Sequence, residues 1–187
     1  MSVSVLPDAY GTGSWIADHG TAGPPVASDI ATVCSSFDDV LSAELHGAAI
    51  AMDCTAEELL LAALGRTVAR TIGEGTLVVD VASGPERAGF RRIAVTCLAH
   101  RGLSGAELLA AARPSVDGDH PSADVSLAYG AGPRAGQSAP PLAVHITPET
   151  DSTTSLLWRF DSRRFDQCTV QELAEQFPLA LIEVTSG

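Results

Sequence analysis

Residues 55–87, TAEELLLAALGRTVARTIGEGTLVVDVASGPER, join a helix, a strand and a turn in one unbroken run. Leu59, Leu60, Ala63, Leu64, Thr67, Val68 and Ile72 recur at three- and four-residue intervals, so they share one face of an amphipathic helix. Thr55, with Glu58 three residues on, has the pattern of a capping box, in which each side chain satisfies the other residue's free backbone N–H. Gly73 stands where a helix stops. Residues 76–81, TLVVDV, then read as a short strand, and Ser83, Gly84 and Pro85 are turn formers that lead to Arg87.

Downstream of this run, residues 92–100, RIAVTCLAH, predict a second strand, and residues 102–113, GLSGAELLAAAR, a second helix. Residues 123–130, 142–146 and 155–160 predict three further strands. In the last of these Leu156, Trp158 and Phe160 alternate with Leu157 and Arg159, which assigns Trp158 to the core. Toward the N-terminus, Phe37, Val40, Leu41, Leu45, Ala48 and Ala49 have helical spacing over residues 37–50. Residues 1–33 are rich in Gly, Pro, Ser and Thr and read as an irregular arm, with Trp15 and Ile16 as its apolar anchors. Residues 114–122 and 130–141 read as loops. The expected organisation is therefore an arm, residues 1–33, and one ordered domain, residues 34–187.

The order of these pieces resembles the C-terminal half of the condensation and epimerisation domains of nonribosomal peptide synthetases. Those domains carry a leucine- and alanine-rich helix ending near a glycine, a Val/Asp-rich strand, and a glycine-containing turn closed by arginine. The counterparts here are residues 59–70, Gly73, residues 77–81 and residues 84–87. The strand 92–100 resembles the one that crosses toward the other half, and ADVSLAYG resembles the family's S-F-N-Y-L-G strand, with Ala128 in the place of its asparagine. DSRRFDQCTVQELAEQF resembles the closing D-x-x-x-F…L-x-x-x-F passage, with Asp161, Phe165, Leu173 and Phe177 in those places. The resemblance covers about residues 35–185. It implies an α+β sandwich: a mixed, largely antiparallel sheet with helices packed on one side, one half of a chloramphenicol-acetyltransferase-like fold.

The catalytic signature of that family, HHxxxDG, belongs to the N-terminal half. The five histidines here are His19, His46, His100, His120 and His145; no two are adjacent, and none is followed by Asp-Gly at the required distance. The resemblance therefore implies a half without a catalytic residue of its own. It also implies an apolar face that normally meets the other half, and such faces mark interaction sites. Expected partners are a separately encoded N-terminal condensation half, a carrier protein, or a second copy of the chain.

Composition narrows the field further. A chain of 187 residues can form one domain that buries roughly 70% of its unfolded surface. All eleven basic residues are arginine, and the formal charge of −12 argues against nucleic-acid binding, which needs clustered cations. The pairs Arg91-Arg92 and Arg163-Arg164 read as solvated strand ends. No apolar run approaches the length of a membrane span, and the first residues lack the pattern of a secretory signal, so a cytoplasmic location is expected. Cys34, Cys54, Cys97 and Cys168 are scattered without a CxxC pair, which gives zinc no support; Cys54 and Cys97 read as small buried hydrophobes. No cofactor is expected.

Four residues are candidates for the substrate tunnel or the interface between halves: Arg87, Ser83, His100 and Thr96. The resemblance places Arg87 in the region facing the other half, where it shapes that surface or holds its own turn. His100 ends the crossing strand, close to the family's tunnel, and lacks an acidic neighbour in sequence. Ser83 lacks the flanking glycines of a nucleophile elbow. Asp117, Asp119 and His120 could ligate a metal, but in a Gly-Pro loop they read as a solvated turn. The functional expectation is a partner subunit of a split condensation-type acyltransferase in nonribosomal peptide or lipid assembly. Its alternative is a non-catalytic docking or scaffold protein.

Overall fold

The computed structural model describes residues 14–83, 90–113, 122–130, 140–149 and 153–186. Six strands form one sheet: β1 Ile30–Phe37, β2 Gly75–Ser83, β3 Arg91–Cys97, β4 Val125–Tyr129, β5 Leu142–Pro148 and β6 Thr154–Asp161. Their spatial order is β1-β6-β5-β4-β2-β3. The pairs β2/β4 and β4/β5 are parallel and the other three antiparallel. Four helices, α1 Asp39–Ala51, α2 Ala56–Thr71, α3 Gly105–Ala112 and α4 Gln167–Thr185, pack on one face of this sheet. The result is the expected α+β architecture, with a mixed sheet of antiparallel majority and helices on one side.

Register explains which face the helices take. Ala31, Phe160, Leu142, Val125, Val79 and Ile93 face one another across all six strands in a single apolar row. The next row on that face contains Val33, Trp158, Val144, Leu127 and Val81. Against these rows α4 sets Phe177, whose ring stacks on Phe37 and meets Trp158 edge-on at 5.5 Å between centroids. Trp158 is fully buried, and its indole N–H donates to the Ser35 hydroxyl at 3.2 Å.

Helix α2 starts where the capping box places it. The Glu58 N–H donates to the Thr55 hydroxyl at 3.2 Å and the Thr55 N–H donates to the Glu58 carboxylate at 2.9 Å. The amphipathic reading is corrected here, because every residue from Leu59 to Ala69 is buried. Since α1, α3, α4 and the sheet all touch α2, even its polar side is enclosed. Arg66, on that side, is satisfied in place: it pairs with Glu183 of α4 at 3.0 Å and donates to the Leu98 and His100 carbonyls at 2.7 and 2.9 Å. Gly65 lets the helix approach β3 so closely that a Cβ there would lie 2.8 Å from a Val95 methyl. After the C-cap residue Ile72, Gly73 takes φ +145°, a conformation that favours glycine.

Three further readings are corrected. Strand β1 begins at Ile30, inside the stretch read as an arm, and includes Phe37, which periodicity assigned to the first helix; α1 starts at Asp39 behind an Asp38 cap. Residues 14–26 are fixed to the domain rather than loose. The Trp15 indole donates to the Thr76 carbonyl, Ile16 is buried, and Asp18 accepts from the Asp166 N–H and the Thr169 hydroxyl at the start of α4. The basic pairs are engaged, not merely solvated: Arg91 with Glu57, Arg92 with Asp80, and Arg163 with Asp161 and Asp29.

Cys97 is buried, and burial pushes its thiol up to about 12, whereas Cys54 is only half-buried. Among the described residues no helix is long and apolar enough to cross a membrane.

Candidate functional site

The residues singled out from sequence do not converge. Thr96 is exposed on β3 opposite Thr76, near the start of β2, whereas Ser83 closes β2 at the other end, opposite Tyr129. His100 lies beyond β3, with an exposed side chain and a carbonyl held by Arg66. Arg87 lies outside the described residues, as do Asp117, Asp119 and His120. Among the described residues no group of three or more His, Cys, Asp or Glu is placed to hold a metal ion.

Chemistry collects instead on the sheet face turned away from the helices. There the register aligns Thr32, Arg159, Ala143, Ser126, Asp80 and Arg92 in one row. The next row holds Cys34, Leu157, His145, Ala128 and Ala82. On the central strands β2, β4 and β5, which run parallel, Asp80, Ser126, Ala128 and His145 are all at most 8% exposed. Toward β1 the face opens: Leu157, Cys34 and Arg159 are exposed.

Polar groups on this face differ in how they are satisfied. Asp80 accepts a two-pronged, charge-assisted bond from Arg92, at 2.8 and 3.1 Å, which satisfies its buried carboxylate. Ser126 Oγ and His145 Nδ1, by contrast, have no hydrogen-bond partner among the described residues. Leaving such a group unpaired costs about 1–3 kcal/mol, so two of them on neighbouring strands are a standing destabilisation. Burial, and second the charge of Arg159, push the His145 pKa below its ordinary 6.5. The imidazole is therefore neutral at pH 7 and able to donate or accept at Nδ1. A hydroxyl, a neutral imidazole and a guanidinium on one face can bind a polar group, orient it, or accept a proton from it.

A second surface feature lies among the helices. Met52, Ala106, Leu109, Ala110 and Arg113 line a cleft of about 350 Å³ between the end of α1 and α3. Its one cation, Arg113, faces Glu58 at 3.9 Å. This cleft has none of the unpaired donors of the sheet face.

Sequence reasoning passed over Ser126, His145 and Arg159. The available signal was a polar residue inside a short apolar strand, as in LAVHI and DVSLAY. What made these three one group is strand register, which is not local in sequence.

No protein-family model matches the chain. Over 71 residues, 36% of its length, it is 35% identical to one subunit of the phenolphthiocerol/phthiocerol polyketide synthase of Mycobacterium tuberculosis; the match spans 5% of that protein. Among solved structures, the epimerization domain from the third module of tyrocidine synthetase B superposes with a TM-score of 0.63 at 14% identity. That match covers 92% of this chain and 54% of the other. A chain from the complex of the X-domain and OxyB from teicoplanin biosynthesis superposes with a TM-score of 0.66 at 18% identity, covering 97% of this chain and 49% of that one. The chain thus has the fold of about half of a condensation- or epimerization-type domain, consistent with the C-terminal half that the sequence resemblance implied.

Proposed function

We propose that this chain serves as the C-terminal half of a condensation-type acyltransferase and works with an HHxxxDG-bearing half supplied from outside these 187 residues. One observation carries the reading: the fold match takes in 92% of this chain but 54% of the tyrocidine epimerization domain. The histidine motif of the absent half has no equivalent here. In this reading the sheet face bearing Ser126 and His145 is the wall that the chain lends to a shared site, and Thr96, Ser83, His100 and Arg87 are assigned singly to the tunnel or the junction, not to one cluster. The complementary half supplies the acid-base histidine, which acyl transfer from a carrier-bound thioester requires. The product is an amide or an ester, and the similarity to a polyketide synthase supports a lipid or polyketide assembly line; the location in this reading is the cytoplasm.

Co-purification from the native host tests this. The expected result is recovery of a polypeptide with HHxxxDG, and acyl transfer by the pair but not by the chain alone. Amide or ester formation by the purified chain alone, from carrier-bound donor and acceptor, overturns the reading.

A docking role is the second reading, favoured by the likeness to a chain from a complex between an X-domain and another protein. Recovery of a carrier protein or a synthetase, with no HHxxxDG chain, selects it.

A further inference from the structure

Ala143 is the hub of the helix-free face. Ser126 is its partner across β4, Arg159 its partner across β6, and His145 follows it by two residues along β5 on the same side. Ala143, itself 9% exposed, puts only a methyl group between the three larger polar side chains. All three present hydrogen-bond donors: a hydroxyl, an imidazole N–H in the appropriate tautomer, and a guanidinium fork. The first two are buried and unpartnered.

Charge points the same way. Arg66, Arg70, Arg91, Arg92, Arg113 and Arg163 each face a carboxylate. Arg101, Arg159 and Arg164 have no carboxylate partner among the described residues, in a chain of formal charge −12, and of these three Arg159 is the one within a strand, on this face of the sheet. The acid next along the row, Asp80, is held by the two-pronged bond from Arg92, so its charge is balanced. An unbalanced guanidinium beside two orphaned donors is complementary to a group that is negative and accepts from three directions.

We propose that Ser126, His145 and Arg159 form an oxyanion subsite over Ala143 that takes one carboxylate or phosphate group of a ligand. Arg159 supplies the charge from the exposed side, and Ser126 and His145 supply directed donors from the buried side. The subsite lies on the wall assigned above to the acyl-transfer site. Its test needs neither a carrier nor a complementary half, so the two readings fail separately.

The experiment is a titration of the purified chain, with ¹⁵N-labelled histidine side chains, by sodium acetate and by inorganic phosphate at constant ionic strength and pH. The expected result is a saturable shift of the His145 imidazole resonances with half-saturation at or below about 1 mM for one of the two anions. Arg159→Ala weakens that binding about tenfold or more, Arg159→Lys weakens it less, and Ser126→Ala weakens it severalfold. Tighter phosphate binding identifies a phosphate ester, such as a carrier arm, as the source of the group; tighter acetate binding identifies an acidic substrate. A shift that stays linear in anion concentration, or one unchanged in Arg159→Ala, overturns the proposal. Arg159 is exposed, so its variants test binding without putting folding at risk.

Discussion

The two faces of the sheet are made from the same strands, yet among the described residues both strand side chains left buried and unpaired, Ser126 and His145, lie on one face; the third such group, Thr71, belongs to α2. On the helix side, Trp158, Phe160, Leu142 and Val144 are at most 1% exposed, and the Trp158 indole N–H finds the Ser35 hydroxyl. On the other side, burial is nearly as deep over Ser126, Ala128 and His145, but Ser126 Oγ and His145 Nδ1 are unpaired. Burial accompanied by satisfaction holds a fold together. Burial without it weakens the fold and marks where a ligand or a partner completes the set.

Substitutions that act oppositely on the two faces test this contrast. The largest effect is expected for Trp158→Ala, which removes the ring that α4 packs against with Phe177 and should cost about 3–5 kcal/mol in denaturant unfolding. Second, Gly65→Ala forces a methyl to within 2.8 Å of Val95 and should cost about 1–3 kcal/mol, read as a lower melting temperature. On the helix-free face the sign reverses: Ser126→Ala removes an unpaired hydroxyl and should stabilise the chain by about 1 kcal/mol. A loss of more than that amount would show that Ser126 is satisfied in the folded chain and would erase the difference between the faces.

The smallest effect is a pH dependence. Burial and the Arg159 charge lower the pKa of His145 in the folded chain, so the unfolded chain takes up a proton first as the solution is acidified. Stability from this residue is complete above 6.5, the ordinary histidine value, and is lost as the pH falls from there toward the lowered folded value. His145→Leu should flatten that part of the stability curve, measured by urea unfolding between about pH 5 and 8. An unchanged slope would locate the titration elsewhere.

Local signals carried much of the fold. The Thr55–Glu58 capping box, the stop at Gly73 and the alternation of Leu156, Trp158 and Phe160 all act over a few residues, and each appears in the structure as the sequence implies. Strand β1 was hidden for a physical reason. Its outer positions Thr32, Cys34 and Ser36 alternate with Ala31, Val33, Ser35 and Phe37, a weak contrast for an edge strand, and Phe37 also fits the helical period that follows. The enclosure of α2 was equally hidden, because Arg66 reads as a solvent-facing residue until Glu183 and the Leu98 and His100 carbonyls are brought to it. The site was the least legible part. Ser126, His145 and Arg159 sit in three different strands, and nothing short of the β4-β5-β6 register puts them around Ala143.

The pairing of β1 with β6 also governs how the chain acquires its shape. Ser35 and Trp158 meet across 123 residues of sequence, so the first strand has no neighbour until the sixth exists. During synthesis the edge of β1 stays open while α1, α2 and the β2/β3 hairpin are already able to form from local contacts. Completion therefore waits on the closing of a very long loop, and in that interval the unpaired strand is exposed to other chains. For this protein, the timing of translation and the presence of a chaperone should govern yield more strongly than the stability of the finished sheet.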